Sequence, residues 1–513
     1  MEHYPLWLAA QKGDTNLKQL MPSHNPDNPD YYKIIQYAIL VAAINEHTET
    51  VRILFELSGF DINYIYTNYR NSSLLEIVAF YGNNQIIAYL LDMKACINGG
   101  VSEQSPLGNT VINGQNKTTK MLLDHKANIN KLLPNNFTAI HIAAKFDRRD
   151  ILTLLIGAKS NLNPQTSCGS TPLTLASLHG HCTIIRILLD ATANINLAAN
   201  NGYTPVSIAA KRNNHRSLGL LVHAKADINL ATDVGITALY IACEFNHINS
   251  IQILLNAKAS IDATAQNGVK PVHIAAVKNN RNALSELIKA KANVNNQIAP
   301  SNYTSIHLVA KYGCCDTAEL LLASKANINA VTLDGATPIN IASRFNRYNV
   351  LGILIQSKGD VNITTSMGVS PLHIAVRYDH SDIVNELLKS KANVNALSND
   401  HGAPIHIALS QNNIEILKLL LNANANPNLT LVDSQTPMHS AVIYDRFSIL
   451  TLLLQAKAIS TSTTREMVIL GHTIPANSTP LSIAKQLNHK LIITLLTTRN
   501  SFDNPPPEKR SKK

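Results

Sequence analysis

Charge is scarce in this chain: Asp, Glu, Lys and Arg make up only 15% of its 513 residues, against 45% apolar residues. That balance excludes a disordered, self-repelling polymer and predicts a folded protein. The six cysteines, Cys96, Cys168, Cys182, Cys243, Cys314 and Cys315, show neither CxxC nor Cys/His ligand spacing, which argues against a zinc site or a disulfide framework. A reducing compartment fits them, and adjacent Cys314-Cys315 read as small packing residues. Long hydrophobic runs are missing too. The longest near the start, Ile34 to Ile44, is interrupted by Gln36 and is far short of the roughly 20 residues that span a bilayer. The opening stretch MEHYPLWLAAQKGD lacks the charged and apolar regions of a signal peptide, so a cytoplasmic protein without membrane insertion is expected. No HExxH, GxSxG, phosphate-loop or Rossmann fingerprint stands at a usable place, so no catalytic activity, cofactor or metal is expected.

What the chain has in abundance is itself. Residues 230–262 and 263–295 are each 33 residues long and superimpose Gly235 on Gly268, Ala242 on Ala275, Leu254 on Leu287 and Lys258 on Lys291. Used as a ruler from Lys131, this unit repeats ten times to Thr461, nine copies of 33 residues and one of 34. Each copy runs from a tip through Thr-Pro-Leu-His or a variant, Ile-Ala-Ala, a polar break and a Leu-Leu pair to Ala-Asn-Ile-Asn. Good copies are Ser170-Thr171-Pro172-Leu173, Thr204-Pro205, Ser370-Pro371-Leu372-His373-Ile374-Ala375 and Thr436-Pro437-Met438-His439.

The physics of the unit follows from its residue types. Thr accepts a hydrogen bond from an orphan amide and Pro is tolerated at the first helical turn, so Thr-Pro predicts a helix start. The spacing of Leu372, Ile374 and Ala375 predicts a short helix, and a second is expected from near Ile383 through Leu387-Leu388. Paired alanines such as Ala209-Ala210 and Ala275-Ala276 allow close helix approach. Neither helix buries its apolar stripe alone, so each unit depends on its neighbours. The period and the Thr-Pro-Leu-His core resemble the ankyrin repeat. The resemblance implies an all-α ankyrin-repeat solenoid of about 15 helix-turn-helix repeats with short β-hairpin tips.

The expected organisation is a degenerate N-terminal capping repeat and loop at 1–30, three divergent repeats over 31–130 and ten regular repeats over 131–461. A C-terminal capping repeat with an extended finger follows at 462–500, and a disordered basic tail at 501–513. Gly108, Gly114 and several asparagines make 99–130 the weakest helical repeat on propensity. His141, His273, His307, His373, His406 and His439 all fall in the Thr-Pro-Leu-His slot, where the resemblance gives the ring the role of tying repeats together.

Two columns of side chains stand out. Lys94, Lys126, Lys159, Lys225, Lys258, Lys291, Lys325, Lys358, Lys391 and Lys457 occupy the place after the second helix where the ankyrin pattern usually has Gly. They match the formal net charge of +10. That place needs a left-handed backbone, at a cost on the order of 1 kcal/mol for a non-Gly residue, partly offset by a cation at a helix C-terminus. The second column, at the end of the first helix, holds Lys145-Phe146, Lys311-Tyr312, Arg344-Phe345 and Arg377-Tyr378. Phe245 and Tyr444 extend its aromatics, with Arg148, Arg149, Lys211, Arg212, Arg281 and Arg347 nearby. The resemblance puts this region beside the concave binding groove, and aromatic and Arg anchors dominate interface energy.

The sequence therefore points to a protein-protein interaction scaffold whose partner lies along that groove. The style of the array also resembles secreted ankyrin effectors of intracellular bacteria, which implies a eukaryotic host protein as partner and a host cytosol or nucleus as destination. An endogenous cytoplasmic adaptor, an enzyme with an unrecognised site, and a nucleic-acid or anionic-surface binder acting through the lysines are the alternatives. Against nucleic acid, the charge is spread at one lysine per repeat and no recognised DNA- or RNA-binding module is present. Asn293, Asn327 and Asn393 resemble sites that asparaginyl hydroxylases modify, which makes such an enzyme a further expected partner.

Overall fold

The computed structural model describes residues 4–22, 29–100, 104–399, 402–431, 435–461, 467–469 and 472–503. Among them are 29 α-helices, two short antiparallel hairpins and two single 3-10 turns, the all-helical class implied by the repeat. Tyr4–Lys12 stands alone as the first helix of the N-terminal unit, with no second helix among the described residues that follow it. From Pro29–Ile44 onward, the helices come in pairs.

Two compact units divide the chain, Met1–Gln266 and Asn267–Lys513. In the first, first helices such as Ala139–Lys145, Pro172–His179 and Pro205–Lys211 lie side by side, and second helices such as Arg149–Gly157, Cys182–Asp190 and His215–His223 form a parallel row. The second unit repeats the plan, with Ser305–Tyr312, Pro338–Arg344 and Pro371–Arg377 in one row and Cys315–Ala323, Tyr348–Gln356 and Ser381–Lys389 in the other. Within each unit the core is the seam between rows, where Leu354, Leu387, Ala342 and Ala375 are fully buried.

Local chemistry sets each helix. Thr204 and Thr337 accept the backbone N–H three residues on, with Pro205 and Pro338 in the first turn. The break between helices turns on one residue of positive φ, such as Asn213, Asn246, Asn279, Asn346 or Asp379. Those residue types tolerate the left-handed region best after Gly. Even the Gly-rich repeat folds as Pro106–Asn113 and Asn116–Asp124. Ser105 caps its first helix, Leu107, Val111 and Leu122 are buried, and Gly114 ends the helix at φ 75°. Tertiary burial here outweighs propensity.

Three hydrogen-bond ladders then sew neighbouring repeats together within each unit. The buried His307 ring accepts the Thr304 N–H at Nδ1 (3.2 Å) and donates from Nε2 to the carbonyls of Ala330 (3.0 Å) and Ala336 (3.2 Å) in the next repeat. His141, His273, His373 and His406 make the same bridge, as the sequence implied. Asn340 fills the slot in its own repeat, accepting from Thr337 N–H at 2.9 Å. In each Ala-Asn-x-Asn ending, the first Asn folds a local turn and the second reaches onward. Asn293 accepts from Asn295 N–H (2.9 Å), and Asn295 accepts from Asn327 N–H (2.8 Å). The third ladder comes from the residue before each second helix. His380, His247, Arg347 and Cys314 reach back to the carbonyls of Ser343, Ala210, Lys311 and Val277, at 2.8, 2.8, 3.0 and 3.1 Å. Those are last-turn carbonyls that a helix leaves without partners.

The tips differ from the expected hairpins in most repeats. Only Ile65–Tyr66 with Ser72–Ser73, and Met467–Ile469 with His472–Ile474, form paired strands among the described residues. Elsewhere a tip is a turn closed by one or two bonds, such as Thr232 N–H to Ile236 O at 2.9 Å, and it bonds to the next tip instead, as in Gln266 N–H to Val234 O at 3.0 Å. Gly202 and Gly235 are required there. Both have positive φ, and a Cβ on Gly202 would meet Asp233 N at 2.6 Å. One boundary differs from the expectation. The last helix, Lys490–Asp503, takes up three residues of the expected tail. Residues 504–513, and 462–466 and 470–471 of the finger, lie outside the described residues.

Candidate partner-binding surface

The basic-aromatic column becomes a physical object where its members interleave across repeats. In the second unit Lys311 Nζ lies over both the Tyr312 ring (5.4 Å) and the Phe345 ring (5.6 Å). Arg344 in turn lies over Phe345 (5.8 Å) and Tyr378 (6.0 Å). The order aromatic, cation, aromatic, cation, aromatic therefore runs across three successive first helices. Each exposed contact is worth roughly 0.5–1 kcal/mol, enough to orient the chains without burying them. Tyr312 and Tyr378 remain 50% and 46% exposed. Tyr378 also stacks on His380, whose own bond to Ser343 O fixes the ring beneath it.

The first unit carries shorter versions. Lys145 lies over Phe146 (5.3 Å) and over Phe137 from the tip (5.7 Å), and Lys211 lies over Tyr203 (4.6 Å). Phe245 stacks on His247 with centroids 5.7 Å apart. Arg212 is exposed just past the end of its helix.

Not every residue of the column is free to meet a partner. Arg148 donates to Ile112 O at 2.6 Å, and Arg347 donates to Lys311 O at 3.0 Å, so both guanidinium groups cap the preceding helix. Arg446, which the sequence pattern does not single out, does the same for Ser410 O (3.1 Å) while lying over the Tyr444 ring at 5.0 Å. Arg377 is exposed beside Tyr378, and its carbonyl accepts from Gln411. Phe137 and Tyr203 are two more members that the sequence pattern does not single out. Each stands eight residues before its lysine, one tip-to-helix-end step that the sequence shows plainly once the repeat is aligned.

The lysine column has the backbone expected of it. All ten lysines have φ between 62° and 67°, all are exposed, and none pairs with a carboxylate among the described residues. Strain and helix-end charge thus oppose one another with no ion pair to tip the balance. Lys291→Gly is expected to raise stability by about 1 kcal/mol, because relief of the left-handed backbone exceeds a solvent-screened end charge. A urea midpoint that falls instead would show the charge to be the larger effect.

Among the described residues no cluster of His, Cys, Asp and Glu is arranged to hold a metal ion, and no helix is long and apolar enough to cross a membrane. The described arrangement defines a helical repeat protein. The family model for ankyrin repeats, in three copies, matches residues 6–100, 75–166, 151–232, 206–298, 306–398 and 396–465, and the chain belongs to the ankyrin repeat family. Ankyrin repeats are protein-protein interaction modules and typically non-enzymatic. The comparison with curated proteins gives no match to this chain.

Proposed function

We propose that this protein is a binding scaffold that holds a partner protein against the interleaved column Tyr312, Lys311, Phe345, Arg344 and Tyr378, and that the first-unit members of the column extend the same mode. The observation that carries this reading is the combination of the half-exposed Tyr312 and Tyr378 rings, and the less exposed Phe345 between them, with cations already fixed over all three. Rings and guanidinium groups held in place before contact lose little side-chain entropy on binding, which is how interface anchors gain their weight. A host-directed role is part of the proposal and rests on the style of the repeats.

The combined substitution of Arg344, Phe345 and Tyr378 by Ala tests it. Capture of partner proteins from cell lysate is expected to weaken by at least about 30-fold, the scale of losing more than one interface anchor. Stability should change by under about 1 kcal/mol, since these side chains interact with one another at the solvent-facing surface. Equal loss of capture and of melting temperature would make these residues packing elements and sink the proposal.

A further inference from the structure

The divergent repeats at the start of the chain hold a second aromatic concentration, apart from the column above. Nine of the sixteen tyrosines lie within the first 89 residues. A cavity of about 430 Å³ opens there, lined among others by Tyr69, Arg70, Phe80, Tyr81, Gln104 and Asn109, a volume within the range of ordinary small-ligand sites. Tyr69, Phe80 and Tyr81 are 38%, 48% and 47% exposed, and the last two meet edge to face at 5.5 Å. Open aromatic walls of this kind are costly to leave in water and favour an inserted ring.

Two charged residues border the cavity. Glu76 is fully buried, and its carboxylate accepts the Ser73 N–H at 2.7 Å in a helix cap, so it is committed to the fold. Arg70 stands exposed on the tip at φ 54°, and no carboxylate of the described residues pairs with it. Asn68 and Tyr69 also border a smaller cavity of about 30 Å³ lined by Tyr66. Tyr66 is 6% exposed, and its hydroxyl has no hydrogen-bond partner among the described residues. A buried phenol without a partner is unusual.

We propose that this cavity takes an aromatic side chain standing beside a carboxylate in a peptide segment of a partner protein. The ring packs against Tyr69, Phe80 and Tyr81, and the carboxylate meets the planar donor fork of Arg70. A nucleotide would also stack here, but its phosphate carries more negative charge than one exposed cation serves.

Saturation-transfer NMR on the full chain tests the site with three probes: N-acetyl-phenylalanine, its carboxamide and adenosine monophosphate. The acid is expected to bind with a dissociation constant on the order of 1 mM, as befits so small a ligand. Arg70→Gln should weaken the acid by about tenfold and leave the carboxamide unchanged. Phe80→Ala should abolish transfer to both, with circular dichroism and melting unchanged because Phe80 is half exposed. Absence of transfer to the acid, tighter binding of adenosine monophosphate, or an unchanged preference in Arg70→Gln would each overturn the proposal.

Discussion

Taking the protein from pH 7 to pH 4 is expected to remove about 3 kcal/mol from the repeat that holds His307. Burial pushes the His307 ring down to about 4 from its ordinary 6.5, against smaller upward pulls from the carbonyls of Ala336 and Ala330 and from Asp334. In the unfolded chain the ring takes up a proton near 6.5, and in the folded repeat it resists until about 4. The stabilising contribution is therefore complete above 6.5, declines as the pH falls from 6.5 to 4, and is absent below 4. At 1.36 kcal/mol per pH unit, a window of about 2.5 units amounts to about 3 kcal/mol.

His141 is held down for the same reason, burial, and acts in the same direction. The geometry gives the cause a second face, since protonated Nδ1 would point a donor at the Thr304 N–H it now accepts. His307→Asn provides the control, because Asn340 already fills that slot with the same bond to its own Thr. Urea titrations at pH 7 and 4 should show a smaller pH dependence in His307→Asn. His307→Ala should cost about 3 kcal/mol at pH 7, through a cavity and unpaired carbonyls, and much less at pH 4, where the wild type has lost the contribution of the neutral ring. An unchanged pH profile in His307→Asn would mean the loss at low pH arises elsewhere.

Leu387→Ala is the second large effect. Leu387 is fully buried on Ser381–Lys389, whose neighbours in the row are Tyr348–Gln356 and Ile414–Asn422. Truncation should cost about 2–5 kcal/mol. Because a stacked array is held by nearest-neighbour terms, hydrogen exchange should quicken in those three helices and stay unchanged in Arg281–Lys289. Leu397→Ala, at a residue 59% exposed, should fall within about 0.5 kcal/mol of wild type. Uniform quickening through residues 267–503 would indicate one cooperative core and contradict the nearest-neighbour picture.

The period of 33, the Thr-Pro starts, the Ala pairs and the bridging histidines were all legible in the linear order. Each is a local instruction, a cap, a first-turn proline or an apolar stripe, copied at fixed spacing, so a single repeat aligned to the next was enough to read the fold. The left-handed lysines were legible for the same reason. A helix end needs a residue with positive φ wherever it falls, and the phase of the repeat says where.

The carriers of the candidate site were only partly legible. Arg344 and Arg347 are three residues apart and alike in sequence, yet one lies over rings at the surface while the other caps the helix before it. Direction decided that difference, because position 347 precedes a second helix and faces the orphan carbonyls of the previous repeat. Lys311 over Phe345, Arg344 over Tyr378, and the pocket around Tyr69, Phe80 and Tyr81 likewise join residues from successive repeats or from separate elements. The sequence alone determined that this protein is a stack of short paired helices and where the Thr-Pro starts place the first helix of each regular pair. Only tertiary structure decided which cations and rings are spent on sewing neighbours together and which stay exposed, since that depends on distances between chain segments about 33 residues apart.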